Sequence, residues 1–220
     1  MVLRAIAEAT ATAQVEIFQQ LDCHSSTRGS SGQLYEKFVH ARLTARPSLV
    51  PLQCTPSEGN LALTIPVCEN VLSFGGVTGL RFANEEEIPF YWRPSKSNFP
   101  SLDSIICTDN AILILQATRL RRGRHSVLRE GVDTVLKSFP KGFVAAREVY
   151  FIFVTDSDDK AKRLREQELP ELEALALKVF SCVFRVGLMD AREIDASHKF
   201  DVSNHCYIMA VLITFHDIGL

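Results

Sequence analysis

The sequence predicts an α/β fold, an α/β/α sandwich around a central mixed sheet. Three observations lead there. From Leu102 onward the patterning reads strand, strand, helix, strand, helix, strand, a succession that lays helices on a sheet with parallel strands. The run REVYFIFVTD at 147–156 is continuously apolar from Val149 to Val154, as a central strand buried on both faces must be. Finally, 46% of the 220 residues are hydrophobic. That is enough for a core without disulfide or metal staples and too much for global disorder.

Taken in order, residues 2–22 read as a helix, with Ile6, Ala9, Ala13, Ile17 and Leu21 at helical spacing. SSTRGSSG at 25–32 signals a loop or a helix entry. A second helix runs from Gln33 to Thr44, with Leu34, Phe38 and Leu43 toward a core. Residues 47–70 are irregular apart from a strand at 61–66. Val71–Phe74 and 77–82 read as a hairpin, Gly75, Gly76 and Gly79 serving its turns. A strand at 88–92 ends before Arg93-Pro94. The stretch 126–139 is a helix stopped by Pro140-Lys141-Gly142. Asp156, Asp158 and Asp159 close the long strand, either as a metal cluster or as a turn and helix cap. A charged helix follows until Pro170 interrupts it, then a core strand within 175–186. A last β-prone run spans 207–215. The breaks divide the chain into an N-terminal helix and linker at 1–30, a main domain at 31–190 and a C-terminal extension or edge strand at 191–220.

Composition excludes several classes. The net charge of −2 gives no global attraction to nucleic acid, so such binding requires a local basic face. The six cysteines form no C-x-x-C pair and no structural zinc pattern. Cys107 and Cys182 sit in apolar runs as small core residues. These features point to a reducing, intracellular setting, nucleus or cytoplasm. The N-terminal pattern is broken by Glu8, Gln14 and Glu16 and does not read as a signal peptide. No apolar run approaches ~18 residues, so no membrane partner is expected. No G-x-x-x-x-G-K-[ST] run supports ATP binding.

The chemistry concentrates in NFPSLDSIICTDNAILILQATRLRRGRH, 98–125. Two strands flank the turn at Asp109-Asn110. Asp103 begins the first, and Gln116 and Thr118 end the second on one shared face. A carboxylate, an amide and a hydroxyl thereby meet at one sheet end. Arg119, Arg121, Arg122, Arg124 and His125 follow. Oxygen donors beside cations are what a metal-dependent nuclease needs. The alternative is that Asp103 caps a strand, Gln116 closes the hairpin and the arginines form a solvated turn. Lys96 precedes the hairpin and could touch phosphate or solvent. His125 either adds a bond to a phosphate at a helix start or is an ordinary loop residue. Trp92 either packs below the site or stacks on a base. Glu36 either faces a site or pairs with His40, four residues on.

The run P-S-x-K-x-N-F-P-S-L-D-S-I, then L-I-L-Q-A-T, then His125, resembles the nuclease-like domain of Crinkler effectors. It is similar also to that of retrotransposon hot spot proteins. Both belong with the restriction-endonuclease-like, PD-(D/E)xK, superfamily. The resemblance covers roughly 32–165. It implies that Asp103 is the metal-binding aspartate, that Gln116 stands at the second acidic position, that Thr118 replaces the lysine, and that Glu36 completes the metal site. It thus implies a restriction-endonuclease-like sandwich hydrolysing DNA with Mg2+ or Mn2+ on Asp103, Glu36 and Gln116. Arg119, Arg121, His125 and Lys96 would hold phosphate. The two replacements lower ligand charge and remove a transition-state cation. They leave open a catalytically inactive, effector-like module of the same fold that binds nucleic acid or a cellular or host protein. Crinkler-like proteins resemble secreted effectors acting in host nuclei.

Overall fold

Phe18 is where the first helix finds its partner. Its ring stacks on Tyr35 at 6.3 Å and meets Phe38 edge-on at 6.0 Å between centroids. This joins α1 (Ala11–Cys23) to α2 (Arg28–Leu43). The computed structural model describes residues 11–23, 27–44, 51–68, 70–74, 77–94, 99, 102–119, 127 and 129–186. The chain divides into two compact units, one comprising Met1–Arg42 with Val186–Leu220, the other Leu43–Arg185.

In the helical unit the buried stripe of α1 runs through Val15 and Phe18, not through the expected Ile17 and Leu21, which are half-buried. The aromatic rings offer more area and more specific geometry than the aliphatic line. Ile6 and Ala9 lie outside the described residues. Leu34, Phe38 and Leu43 of α2 are buried as their spacing predicts, joined by Tyr35 and Val39. Of the loop or helix entry expected over 25–32, the structure shows helix from Arg28, where α2 begins and runs through Gly29, Ser30, Ser31 and Gly32. These are weak helix formers, but packing overrides propensity where the helix buries a face, and Ser31 is itself buried. The Thr27 hydroxyl donates to the Leu21 carbonyl at 2.6 Å, satisfying one of the carbonyls that the end of α1 leaves open.

The other unit is mixed α/β, built on an eight-stranded mixed sheet. Its strands are β1 (Leu52–Pro56), β2 (Leu63–Ile65), β3 (Val71–Phe74), β4 (Phe90–Pro94), β5 (Ser104–Cys107), β6 (Ala111–Ala117), β7 (Glu148–Thr155) and β8 (Lys178–Val183). They lie in the order β2-β1-β8-β7-β6-β5-β4-β3. Strands β6, β7 and β8 are mutually parallel, and so are β3 and β4, while the remaining neighbours are antiparallel. α3 (Arg129–Ser138) carries the chain from β6 to β7. α4 (Asp158–Arg165) and α5 (Pro170–Glu173) carry it from β7 to β8. Pro170 starts α5, where its missing N–H breaks no helical bond.

Three sequence expectations for this unit fail, the first being the strand expected to end before Arg93-Pro94, since β4 runs through both residues, paired with β3. β1 falls in the stretch read as irregular. Residues 77–82 form 3-10 helix rather than the second arm of a hairpin, and β3 pairs in parallel with β4 instead. The reason is burial: the turn carries Leu80 into the core, which a solvated hairpin arm would not do. The run at 207–215, Gly75 and Gly76 lie outside the described residues.

One sheet face contributes Phe90, Trp92, Ile105, Cys107, Ile112, Ile114, Phe151 and Phe153 to a single apolar cluster. Val132 and Val135 of α3, Leu164 of α4 and Leu172 of α5 join it. Trp92 is fully buried and meets Phe99 edge-on at 6.3 Å, so its role is packing and not base stacking. The β5–β6 hairpin forms as its sequence predicts. Its turn is tied to β7 by Arg147, which donates to the carbonyls of Thr108 and Phe143 and lies 4.0 Å over the Phe143 ring. Glu85 accepts from the same guanidinium at 2.5 Å, so this buried cation is paired as burial demands.

Two glycines give opposite expectations for one substitution. At Gly29 an added Cβ meets nothing within 4 Å and the backbone is helical. Gly29→Ala should therefore stabilise the protein by about 0.5–1 kcal/mol. Gly142 has φ +88° in a turn closed by the Phe143 N–H on the Pro140 carbonyl. Gly142→Ala should cost about 1–2 kcal/mol. Urea unfolding of each variant checks the two signs.

Candidate functional site at the carboxyl end of the parallel strands

Parallel β6, β7 and β8 end together, and antiparallel β5 begins beside them. The β5–β6 register pairs Ser104 with Leu115, which sets Asp103 opposite Gln116. The β6–β7 register pairs Gln116 with Phe153 and Ala117 with Val154. The Thr118 N–H then continues the ladder to the Val154 carbonyl at 2.8 Å. Asp103, Gln116, Thr118 and Thr155 thus share the helix-covered face at one end of the sheet. The meeting of Asp103, Gln116 and Thr118 is the part of this convergence that the hairpin spacing predicts. Carboxyl ends of parallel strands are also where ligands of open α/β sheets generally bind.

Each polar group there has a distinct state. Asp103 Oδ2 accepts the Ala117 backbone N–H at 2.6 Å, a charge-assisted bond that caps the strand pair. The Gln116 side-chain oxygen and the Thr155 hydroxyl are buried and find no hydrogen-bond partner among the described residues. Unmet polar atoms of this kind are costly to bury, so in a folded protein they invite a ligand or an ordered water as explanation. Asp156, just past β7, accepts from Arg119 Nε at 2.7 Å and Lys160 Nζ at 2.5 Å. All three side chains are 11–15% exposed, so the interaction is poorly screened. Two cations on one carboxylate leave that triad with a net positive charge.

Burial pushes the Asp156 carboxyl up, but hydrogen bonds and charge from Lys160 and Arg119 more than reverse this. It therefore titrates below the usual 3.8. The sequence reading offered Asp156, Asp158 and Asp159 as a metal cluster or a helix cap. Asp156 is the anchor of two cations, Asp158 pairs with Arg185, and Ser157 holds the N-cap position with the two aspartates in the first turn of α4. Acidic residues there complement the helix dipole.

Sequence reasoning missed Asp156, Lys160 and Thr155 as members of this site. The signal was the end of the most apolar strand, followed by an i,i+4 Asp–Lys pair across a helix start. Glu36 belongs to the helical unit, where His40 Nε2 meets its Oε1 at 3.2 Å, the local pairing that the spacing offered as the alternative. Lys96, Arg121 and His125 lie outside the described residues.

A hard divalent cation prefers several full negative charges. The described sheet end offers two carboxylates that already accept hydrogen bonds, Asp103 and Asp156, one neutral amide oxygen and the hydroxyls of Thr118 and Thr155. Among the described residues no group of three or more His, Cys, Asp or Glu side chains could hold a metal ion. These engaged or neutral donors supply less free negative charge than Mg2+ or Mn2+ prefers. No helix among the described residues is long and apolar enough to cross a membrane. Comparison with protein-family models, curated proteins and solved structures finds no match to the chain.

Asp156→Asn should lower stability by about 2 kcal/mol at neutral pH, because it leaves two half-buried cations without their counter-charge. The folded carboxyl titrates below its unfolded value, so its contribution is present above pH 3.8 and is lost as pH falls through the folded value. The gap between wild type and variant should close in acid. Urea titrations at pH 7 and at acid pH read the difference.

Proposed function

We propose that the chain is a nucleic-acid-binding module that holds a phosphate backbone at the carboxyl end of β6, β7 and β8 without hydrolysing it. The observation that carries this reading is the division of labour at that end. Asp103, Asp156, Arg119 and Lys160 are engaged in structural bonds, while the polar atoms left over at that end among the described residues, Gln116 Oε1 and Thr155 Oγ1, are uncharged. Arg119 begins a run of four arginines within six positions, 119–124, just where β6 ends. Arginine matches phosphate geometry and stays charged. The buried Gln116 oxygen would accept from a base or sugar donor.

The order of helices and strands on the mixed sheet is compatible with the restriction-endonuclease-like sandwich, with Gln116 and Thr118 at the acidic and lysine positions. On this reading the fold has kept its strand-end platform and exchanged metal chemistry for binding. An effector-like role in nucleus or cytoplasm fits a module that occupies nucleic acid without cutting it.

Fluorescence anisotropy with a labelled DNA duplex and a single strand, with and without Mg2+ or Mn2+, tests this proposal. Binding should need no metal, weaken with added salt, and leave the DNA intact. Gln116→Leu should weaken binding several-fold while leaving stability equal or higher, since it removes a buried oxygen with no partner. A residue serving only the fold would show the reverse. Metal-dependent cleavage abolished by Asp103→Ala would instead establish the nuclease reading, which the pairing of Asp103 with Gln116 favours. Absence of both binding and cleavage would reject both.

A further inference from the structure

We propose that Cys54 and Cys182 form a reversible cross-strand disulfide, a modification site separate from the polar strand end. They lie on adjacent strands, β1 and β8, directly opposite each other in an antiparallel register. The type of pair follows from the ladder. The Ser57 N–H donates to the Val179 carbonyl at 2.9 Å, and positions 57 and 179 are in the same register as 54 and 182. Hydrogen-bonded and non-hydrogen-bonded pairs alternate along such a ladder. Thr55 and Ser181 are therefore a bonded pair, while Cys54 with Cys182 and Pro56 with Phe180 are non-bonded pairs. Proline at 56 agrees, since its missing N–H is not needed by β8.

Non-bonded pairs bring Cα atoms to about 4.5 Å, with side chains turned toward each other. That separation is at the short end of the range a disulfide spans. A bridge formed there is strained and readily reduced, which suits a switch better than a permanent staple. Both cysteines are free thiols, and they face each other across the β1–β8 ladder. They sit in an apolar row across the sheet, Leu63, Cys54, Cys182, Val154 and Ala117. No shift of backbone register is needed to join them.

The two thiols have unequal parts. Cys54 is 8% exposed and Cys182 is 2% exposed, so an oxidant meets Cys54 first. The hydrogen bond to Cys54, burial and the charge of Cys54 hold the Cys182 thiol well above its ordinary value. It therefore waits as a thiol until a mixed disulfide forms beside it. With a small disulfide such as oxidised glutathione, the Cys54 thiolate attacks one sulfur. Its S–S bond breaks and one glutathione thiolate leaves. Cys182 then loses its proton and attacks the Cys54 sulfur, expelling the second glutathione, which takes up the proton. Two protein thiols are oxidised and one small disulfide is reduced to two thiols.

The test is to equilibrate the full chain in glutathione buffers of stepped ratio, block remaining thiols by alkylation, and map peptides by mass spectrometry. The expected result is a peptide pair joined through Cys54 and Cys182, lost on return to reducing buffer. In Cys182→Ser, Cys54 should carry a glutathione adduct and no bridge. The exposed Cys23 reports that the oxidant is active. Cys54 and Cys182 both remaining thiols where Cys23 is modified, or a bridge joining other cysteines, would overturn the proposal. The wild-type measurement decides even if the serine variant fails to fold. Because the readout is a covalent bond, its outcome is independent of nucleic-acid binding.

Discussion

Strand β7 is bonded on both sides to parallel neighbours, and its residues from Tyr150 to Thr155 are buried. Parallel pairing cannot be closed by a tight turn; each connection must climb back over a face of the sheet. Placing α3, α4 and α5 in those connections brings Val132, Val135, Leu164 and Leu172 onto Phe151 and Phe153. The same constraint makes three strands finish at one end, and the polar side chains gather there. Core and candidate site are two results of one register.

At that end electrostatics and desolvation act in opposite directions. Withdrawing the Asp156 carboxylate from water disfavours its charge, yet two nearby cations outweigh the penalty. Such a triad holds the strand end and the start of α4 in one arrangement, because a broken member would leave an uncompensated charge. At the same end of the sheet Gln116 Oε1 and Thr155 Oγ1 find no hydrogen-bond partner among the described residues. A ligand group that reaches them replaces a missing bond and not a bond to water, so the gain from contact is larger than at an open surface.

How far the sequence reveals this depends on the range of the interaction. The β5–β6 hairpin, the apolar centre of β7 and the stop after α3 are legible because each is set by neighbours within a few residues. Asp103 facing Gln116 follows from one hairpin register. The 3-10 turn at 77–82 is illegible because Leu80 is drawn into a core assembled from distant strands. The start of α2 is hidden for a related reason: local propensity argues against RGSSG as helix, and only packing decides. Arg119 and Asp156 lie 37 positions apart, and nothing local announces that pairing. The early helix stripe misleads because alanine and isoleucine spacing competes with Phe18, whose aromatic partners come from another helix.

The short strands at the margins of the sheet have their own bearing on solution behaviour. β2 has three residues and β3 has four, and they occupy the two outer positions. Pro56 sits in β1 beyond the last residue that β2 pairs, so the strand behind the margin offers no donor at that point. A foreign chain seeking to extend the sheet would meet only a few backbone groups on either side, far less than the long flat margins that seed aggregation. The long apolar strands β6 and β7, which would be hazardous at a border, are kept in the middle.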